Sequence, residues 1–256
     1  MINIFKSQNY QLRHDMFSVI AVIILTIVSF YMAFFDSVTG GEKYSFLGEQ
    51  IPMLWIAICL IFGARIAAWD FNDKTINYEL MMGHSRKTMY WGRFLTALLW
   101  CFVLCMMVVV IPLMASSLRN GWGNNVDFVN AISRLLLAIL PMIRVLSEFF
   151  LLAMLLRNCY ATYALGYALI GGSLMVALVL KEFFEADITY LLGYTNLSAV
   201  LELTNGHKEL INGVDTMVLD SGVTAQLWIS TVCSSLGVSL VCLFLGYGIF
   251  KKRDFS

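Results

Sequence analysis

Two ionisable side chains lie deep within one apolar segment, and they are the first candidates for a functional site. Arg144 and Glu148 follow Pro141 in the segment 131–156. An ionisable residue at such a depth in a membrane costs at least about 2.5 kcal/mol, so it marks a functional site by default. Residues four apart share a helical face and can neutralise each other. Two interpretations stay open: a structural pair that faces protein, or a polar group at a gate or substrate path.

Other polar residues of the apolar segments give weaker signals. Arg134, near the outer end of the same segment, is expected to snorkel towards water. Gly166, Gly171 and Gly172 give a later segment a small-residue face suited to close helix contact. That face fits either an interface between two copies of the chain or helix packing within one subunit.

A membrane-embedded serine hydrolase is a rival interpretation of the Gly-Gly-Ser sequence at 171–173. A nucleophilic serine needs a general base within hydrogen-bond reach. The histidines, His14, His84 and His207, all lie outside the apolar segments, and no H-E-x-x-H motif or pair of intramembrane aspartates occurs. We therefore predict that this chain is not an enzyme.

The cysteines could in principle bind a metal. All six lie in or beside apolar segments: Cys59, Cys101, Cys105, Cys159, Cys233 and Cys242. Cys101 and Cys105 share one helical face, but no histidine, aspartate or third cysteine is near them in the sequence. Because buried thiols behave as small hydrophobes, we expect packing roles, no metal site and no cofactor bound by this chain.

The most polar run of the chain, WDFNDKTINYELMMGHSRKTMYWGRF, occupies residues 69–94. Asp70 and Asp73 stand at the end of the second apolar segment, where carboxylates favour the N-terminus of a helix. The following residues predict a short helix over 73–82. Gly83 suits the position just after a helix, and Ser85 suits the N-cap of the next one.

A simple connector would not need this construction, since two to eight residues usually suffice between neighbouring helices. A short, polar, sharply capped helix that projects from a membrane domain indicates a docking element for a cytoplasmic partner.

Apolar segments must position all these residues. Charged residues make up only 13% of the chain, against about a quarter in soluble domains. A membrane-crossing helix needs about 20 mostly apolar residues, and backbone groups in lipid must pair within helices. Six segments qualify: 17–35, 51–68, 94–115, 131–156, 161–180 and 226–250. The sequence therefore predicts an all-α polytopic membrane protein, with one domain over 1–256.

Two smaller elements complete this prediction. Residues 1–16 fit a helix lying in the membrane interface, with a frayed polar tail as the alternative. Its apolar residues near one face are Ile2, Phe5, Leu12 and Met16. The exterior segment 181–225 carries apolar runs too short to cross, which we interpret as short interfacial or re-entrant helices.

Basic residues are distributed unevenly between the two ends of the segments. One side holds Lys6, Arg13, Arg65, Lys74, Arg86, Lys87, Arg93, Arg157, Lys251, Lys252 and Arg253. The other holds only Lys43, Arg119, Lys181 and Lys208. Because Lys and Arg in short loops mark the cytoplasmic face, both termini and the segment 69–93 are expected there.

The residue order within this cytoplasmic segment resembles the region after the second span of type-2 ABC transporter permeases. That family shows an acidic residue, Gly-Thr, a Leu, Gly-x-Ser-Arg, a Tyr and a basic residue. The matching residues are Thr75, Leu80, Gly83, Ser85, Arg86, Tyr90 and Arg93, with Lys74 in place of the first Gly. More loosely, the family shares the N-terminal interfacial helix, six spans, outer helical element and basic end.

The resemblance implies that residues 69–93 couple this chain to an ATPase. The coupling residues would be Asp70, Asp73, Lys74, Thr75, Glu79, Leu80, Gly83, Ser85 and Arg86. The chain contains no G-x-x-x-x-G-K-[ST] phosphate loop, so ATP and Mg²⁺ would bind a separate ATPase subunit. A second permease copy or a close homologue would complete the pathway.

The expected function is thus that of a permease subunit of an ATP-driven exporter in a bacterial plasma membrane. The apolar composition favours an amphipathic or hydrophobic substrate, such as a peptide, and no nucleic-acid partner is expected. The alternative is a non-transporting immunity or scaffold protein that binds a toxin or a lipid.

Overall fold

A computed structural model describes residues 2–34, 38–72, 81, 83, 85–184, 191–203, 206–211, 214–219 and 222–252. These ranges contain eight helices of four residues or more and one β-hairpin. The helices are α1 (Ile2–His14), α2 (Met16–Phe34), α3 (Gly40–Asn72), α4 (Arg86–Asn120), α5 (Phe128–Leu156), α6 (Cys159–Phe184), α7 (Gly193–Leu201) and α8 (Ala225–Lys252). The strands are β1 (Gly206–Ile211) and β2 (Val214–Leu219).

Six of the described helices are long and apolar enough to cross a membrane: α2, α3, α4, α5, α6 and α8. Each contains the apolar segment expected from the sequence, allowing one residue at the end of α2. The predicted class is confirmed: the chain is an all-α multi-pass membrane protein.

Helix α3 lies at the centre of the bundle. Of its most apolar 18 residues 78% are buried, against 17% for α2 and 6% for α6. It packs against α4 and α5, while α8 packs mainly against α5 and α2 against α4. The central position of α3 means that a side chain at its end contacts several other helices.

The N-terminal helix forms as expected, but its buried face matches the predicted apolar face only in part: Leu12 is buried as expected. Ile4, Gln8 and Leu12 are buried at a spacing of four, while Met16 is 79% exposed. The reason is that α1 packs against α4 and α2, and its buried face includes a polar residue that has a partner in the bundle.

The described residues of the segment between α6 and α8 form one helix and one hairpin. Helix α7 matches the expectation of a short outer helix, but the following residues form an antiparallel hairpin in which Ile211 pairs with Val214. Asn-Gly stands between these two residues, and this dipeptide is a strong hairpin signal. Alternating β-branched residues in β2 favour a strand as well. The hairpin follows the two apolar runs that were expected to be helical, and it was not predicted.

Candidate functional site

The base of the polar segment 69–93 is the first candidate site. Asp70 lies in the last turn of α3 and is buried. Its Oδ2 accepts a hydrogen bond from Nε2 of Gln8 at 3.0 Å, and Nη2 of the fully buried Arg93 lies 2.7 Å from the same oxygen. A buried charge requires such partners, so this cluster holds α1, α3 and α4 together where the polar segment begins and ends.

This position corrects the expectation that Asp70 starts a helix. It lies near the C-terminus of α3, where the helix dipole disfavours a carboxylate, and Arg93 compensates for that. Five of the expected coupling residues lie outside the described residues: Asp73, Lys74, Thr75, Glu79 and Leu80.

The residues Gly83 and Ser85, just before α4, have the expected local geometry. Gly83 has a φ of 83°, which glycine adopts without a steric penalty. Ser85 is the N-cap of α4, and its Oγ accepts a hydrogen bond from the Thr88 N–H at 3.2 Å. Both predicted conformations are confirmed, whereas the coupling role of these residues remains a prediction.

The start of α4 is also joined to the end of α8. Nη1 of Arg86 donates to the Lys251 carbonyl at 2.6 Å, and the Tyr90 hydroxyl donates to the Leu243 carbonyl at 2.9 Å. Tyr90 is fully buried. The last residues of α3 and α8 and the first of α4 therefore form one packed base under the polar segment.

The intramembrane pair is the second candidate site. Nε of Arg144 lies 2.9 Å from Oε1 of Glu148, and the two side chains are 3% and 35% exposed. At 1.5 Å per residue, Arg144 lies about 24 Å from one end of α5 and about 18 Å from the other. The predicted pair thus exists near mid-helix, and its carboxylate is the accessible partner.

Arginines of α5 hold both ends of helix α7. Arg144 Nη2 donates to the Leu191 carbonyl just before α7. At the other end, Arg134 donates to the carbonyls of Val200 at 3.1 Å and Glu202 at 3.3 Å. Helix α7 therefore lies alongside the membrane-crossing part of α5, as a re-entrant helix would.

Arg134 consequently does not snorkel. It is only 7% exposed, and its Nη2 donates to a third carbonyl, that of Gly222, at 3.0 Å. These acceptors belong to residues between α6 and α8. The sequence of α5 alone could therefore not predict the contacts of Arg134.

A cavity of about 310 Å³ opens beside the Arg144–Glu148 pair, between α3, α5, α6 and the start of α7. Its polar lining residues are Arg144, Glu148, Ser173 and Tyr194. Gly193 leaves room for the carboxylate, because a Cβ at this position would lie 3.1 Å from Glu148 Oε2. The cavity thus places one half-buried carboxylate in an otherwise mostly apolar space.

Sequence reasoning missed a polar contact between α7 and α8. Asn196 is fully buried, and its Nδ2 donates to Ser234 Oγ at 3.0 Å. The Thr231 hydroxyl donates to Asn196 Oδ1 at 3.2 Å. The sequence signal for this contact was the side-chain amide of Asn196 beside the apolar run that follows it, because a buried amide needs hydrogen-bond partners.

A second missed contact joins Arg65 of α3 to Asp15, which precedes α2. Arg65 Nε donates to Asp15 Oδ2 at 2.8 Å, and the guanidinium carbon lies 3.7 Å from the centre of the Trp69 ring. Burial alone would raise the pKa of Asp15, but hydrogen bonds from Arg65 and Ser18 outweigh it and hold the pKa below 3.8. The sequence signal for this contact was Arg65 itself, because an arginine within an apolar segment needs a partner.

The cysteines come closer together than expected. The Cys59 thiol of α3 lies within hydrogen-bonding range of Cys101 and Cys105 of α4, so a third cysteine is near after all, because α3 packs on α4. Among the described residues, no group of three or more His, Cys, Asp or Glu side chains has an arrangement that could hold a metal ion.

Comparison with known proteins gives two similarities. A stretch of 112 residues is 21% identical to "Uncharacterized membrane protein YdbK" of Bacillus subtilis (strain 168), and covers 41% of this chain and 46% of that protein. The match therefore spans about half the length of this curated relative. Residues 18–256 match the family described as "Protein of unknown function (DUF2705)". Because the family match extends over almost the whole chain, the chain belongs to the DUF2705 family.

Proposed function

We propose that this chain is the permease subunit of an ATP-driven exporter, which couples through residues 69–93 to a separate ATPase subunit. The observation that carries the proposal is the corner at Gly83 and Ser85. Gly83 has a positive φ, and Ser85, two residues later, is the side-chain N-cap of α4. The residue order that resembles type-2 ABC permeases centres on this corner.

The packed base supports a mechanical role for the segment. Asp70, Gln8 and Arg93 fix three helices around it, and Arg86 fixes the end of α8. A push on the polar segment would therefore reach α1, α3, α4 and α8 together, rather than bend a loose loop. ATP binding and hydrolysis would favour different arrangements of these helices.

The proposed assembly contains two permease copies, or this chain with a close homologue. Gly166 packs within the chain, against Leu60 of α3. Gly171 and Gly172 of the thinly covered helix α6 have no atom within 4 Å of a Cβ position, so this part of the small-residue face suits a second chain. An amphipathic or hydrophobic cargo, such as a peptide, fits the apolar spans.

The coupling test uses two glycines with positive φ at opposite ends of α4. Gly83 and Gly121 have φ values of 83° and 75°, and a Cβ at either would meet no atom within 4 Å. Gly83→Ala and Gly121→Ala therefore each place a Cβ at a positive φ without a steric clash. We expect Gly83→Ala, and also Glu79→Arg, to reduce ATPase co-purification or the ATP hydrolysis stimulated by this chain, while Gly121→Ala preserves both.

The readout is ATP hydrolysis and subunit composition of the complex purified through a tag on this chain. Normal coupling in Gly83→Ala and Glu79→Arg would refute the assignment of residues 69–93. Purification of the wild-type chain without any ATPase would instead favour an immunity or scaffold protein.

A further inference from the structure

We propose that the cavity beside Arg144 and Glu148 binds an uncharged amphipathic molecule, whose hydroxyl or amide group contacts Glu148. This molecule would be the exported substrate, and that identification alone rests on the proposed function. The binding site itself belongs to this chain alone and can be tested without an ATPase.

The size and lining of the cavity fit such a molecule. Its volume of about 310 Å³ is at the lower end of the range of about 300–1,000 Å³ found for small-molecule sites. Most of its lining residues are apolar, with Ile56, Leu152 and Leu169 among them. These walls suit an alkyl or aromatic body, and the few polar side chains suit a single head group.

Of the two members of the ion pair, Glu148 is the one that a ligand can reach. Its side chain is 35% exposed, whereas that of Arg144 is 3% exposed and also donates to the Leu191 carbonyl. One carboxylate oxygen accepts from Arg144, and a carboxylate has about four acceptor positions in all. A ligand hydroxyl or amide N–H can therefore donate to Glu148 without breaking the ion pair.

The local charges disfavour ions. A cationic ligand at Glu148 would also approach the Arg144 guanidinium and the N-terminus of α7, which carries a partial positive charge and has no side-chain cap. An anionic ligand would approach the carboxylate itself. Because charge repulsion is strong in a low-dielectric interior, the neutral Arg144–Glu148 pair selects a neutral head group.

The test measures protection of a thiol in the cavity. Ser173 lines the cavity, and Cys233 is the exposed native cysteine. The Ser173→Cys, Cys233→Ser chain is placed in lipid nanodiscs, and its rate of reaction with N-ethylmaleimide is measured with 1-octanol, octylammonium or octanoate. We expect 1-octanol alone to slow the reaction in a saturable manner, by about ten-fold at ten times its Kd.

A matched control lies on the opposite face of the same helix. Met175 is 68% exposed and does not line the cavity, so Met175→Cys should react at an unchanged rate with every probe. Equal protection at both positions, equal protection by all three probes, or no protection by 1-octanol would each overturn the proposal.

A change of selectivity gives a second measurement. Glu148→Gln keeps the shape of the side chain but leaves the Arg144 charge without its carboxylate. In this background octanoate, which does not protect the parent chain, should slow the reaction of the Ser173→Cys thiol. Unchanged selectivity would show that the pair does not choose the ligand. Loss of ATPase coupling in the earlier test would not affect either result.

Discussion

At the scale of single residues, the polar groups inside this bundle are placed by specific partners rather than by exposure to water. Asp70 is held by Gln8 and Arg93, and Arg144 by Glu148 and the Leu191 carbonyl. A buried charge without partners costs several kcal/mol. These contacts therefore fix which helix faces meet, in addition to any functional role they have.

The Arg144–Glu148 pair gives a prediction about stability. Arg144→Leu and Glu148→Leu should each destabilise the chain, because each leaves the other charge uncompensated. Losing one member of a fully buried pair costs about 3 to 5 kcal/mol, and the partial exposure of Glu148 reduces this. Glu148→Leu leaves a nearly fully buried guanidinium without its carboxylate, whereas Arg144→Leu leaves a partly exposed carboxylate but also removes the donor to the Leu191 carbonyl. Thermal unfolding in detergent measures both.

The double substitution separates the two interpretations of the pair. If the pair is structural, the double Leu variant regains most of the stability lost in Arg144→Leu, and it keeps its activity. A stable double variant that binds its ATPase and does not transport would show that the charges serve the substrate path instead.

Asp15 gives a prediction about pH. Its pKa in the folded chain lies below its ordinary value of 3.8, so its contact with Arg65 stabilises the fold fully above that pH. The contribution is lost as pH falls through the lower, folded-state value. The stability advantage of the wild type over Asp15→Asn should therefore be constant near pH 6 and shrink below about pH 4. An advantage that grows on acidification would contradict this assignment.

At the scale of elements, α7 is the clearest example of a helix defined by its neighbours. It has nine residues, and helices this short are marginal in isolation. Arg144 holds its first end and Arg134 its last, while Asn196 bonds to α8. The helix is therefore stable because α5 and α8 supply its polar partners.

The role of Arg134 can be tested against a similar residue outside this contact. Arg134→Gln should loosen the exterior segment, because three carbonyls lose a charged donor, and each hydrogen bond to a charged group contributes about 1.5 to 3 kcal/mol. Arg119, exposed at the end of α4, is the control. Limited proteolysis should cut the exterior segment faster in Arg134→Gln than in Arg119→Gln. Equal rates would mean that the three contacts do not hold the segment.

At the scale of the whole molecule, six crossings arrange the chain so that α3 is enclosed and α6 is mostly uncovered. An enclosed α3 can transmit a movement at its end to several helices, while an uncovered α6 can face lipid or a second chain. If all six of these described helices cross the membrane, α1 and the end of α8 lie on the same side.

This topology can be tested by labelling in intact cells. The basic residues predict that the base with Lys87 faces the cytoplasm and that the hairpin with Lys208 faces outward. Lys208→Cys should react with a membrane-impermeant maleimide in intact cells, and Lys87→Cys only after permeabilisation. Both variants are made without the exposed Cys233, and the parent chain gives the background. The reverse pattern would invert the orientation and remove the argument for a cytoplasmic ATPase.

The sequence by itself determined the number and order of the membrane helices among the described residues, and several local features, but not where α3 and α4 begin and end. The length of an apolar segment predicts whether it crosses the membrane, independently of the other helices. The reason is that the backbone N–H and C=O groups of each segment in lipid must form hydrogen bonds within that segment. The cap at Ser85 and the left-handed Gly83 depend on a few adjacent residues. The Arg144–Glu148 pair follows from a spacing of four on one helix.

Only the tertiary structure decided which distant residues meet. Arg93 reaches Asp70, Arg134 reaches three carbonyls of the exterior segment, and Cys59 joins Cys101 and Cys105. The physical reason is that helices in lipid pack through specific close contacts rather than through the exclusion of water. Hydropathy therefore indicates that a helix lies in the membrane, but not which neighbour each of its faces contacts.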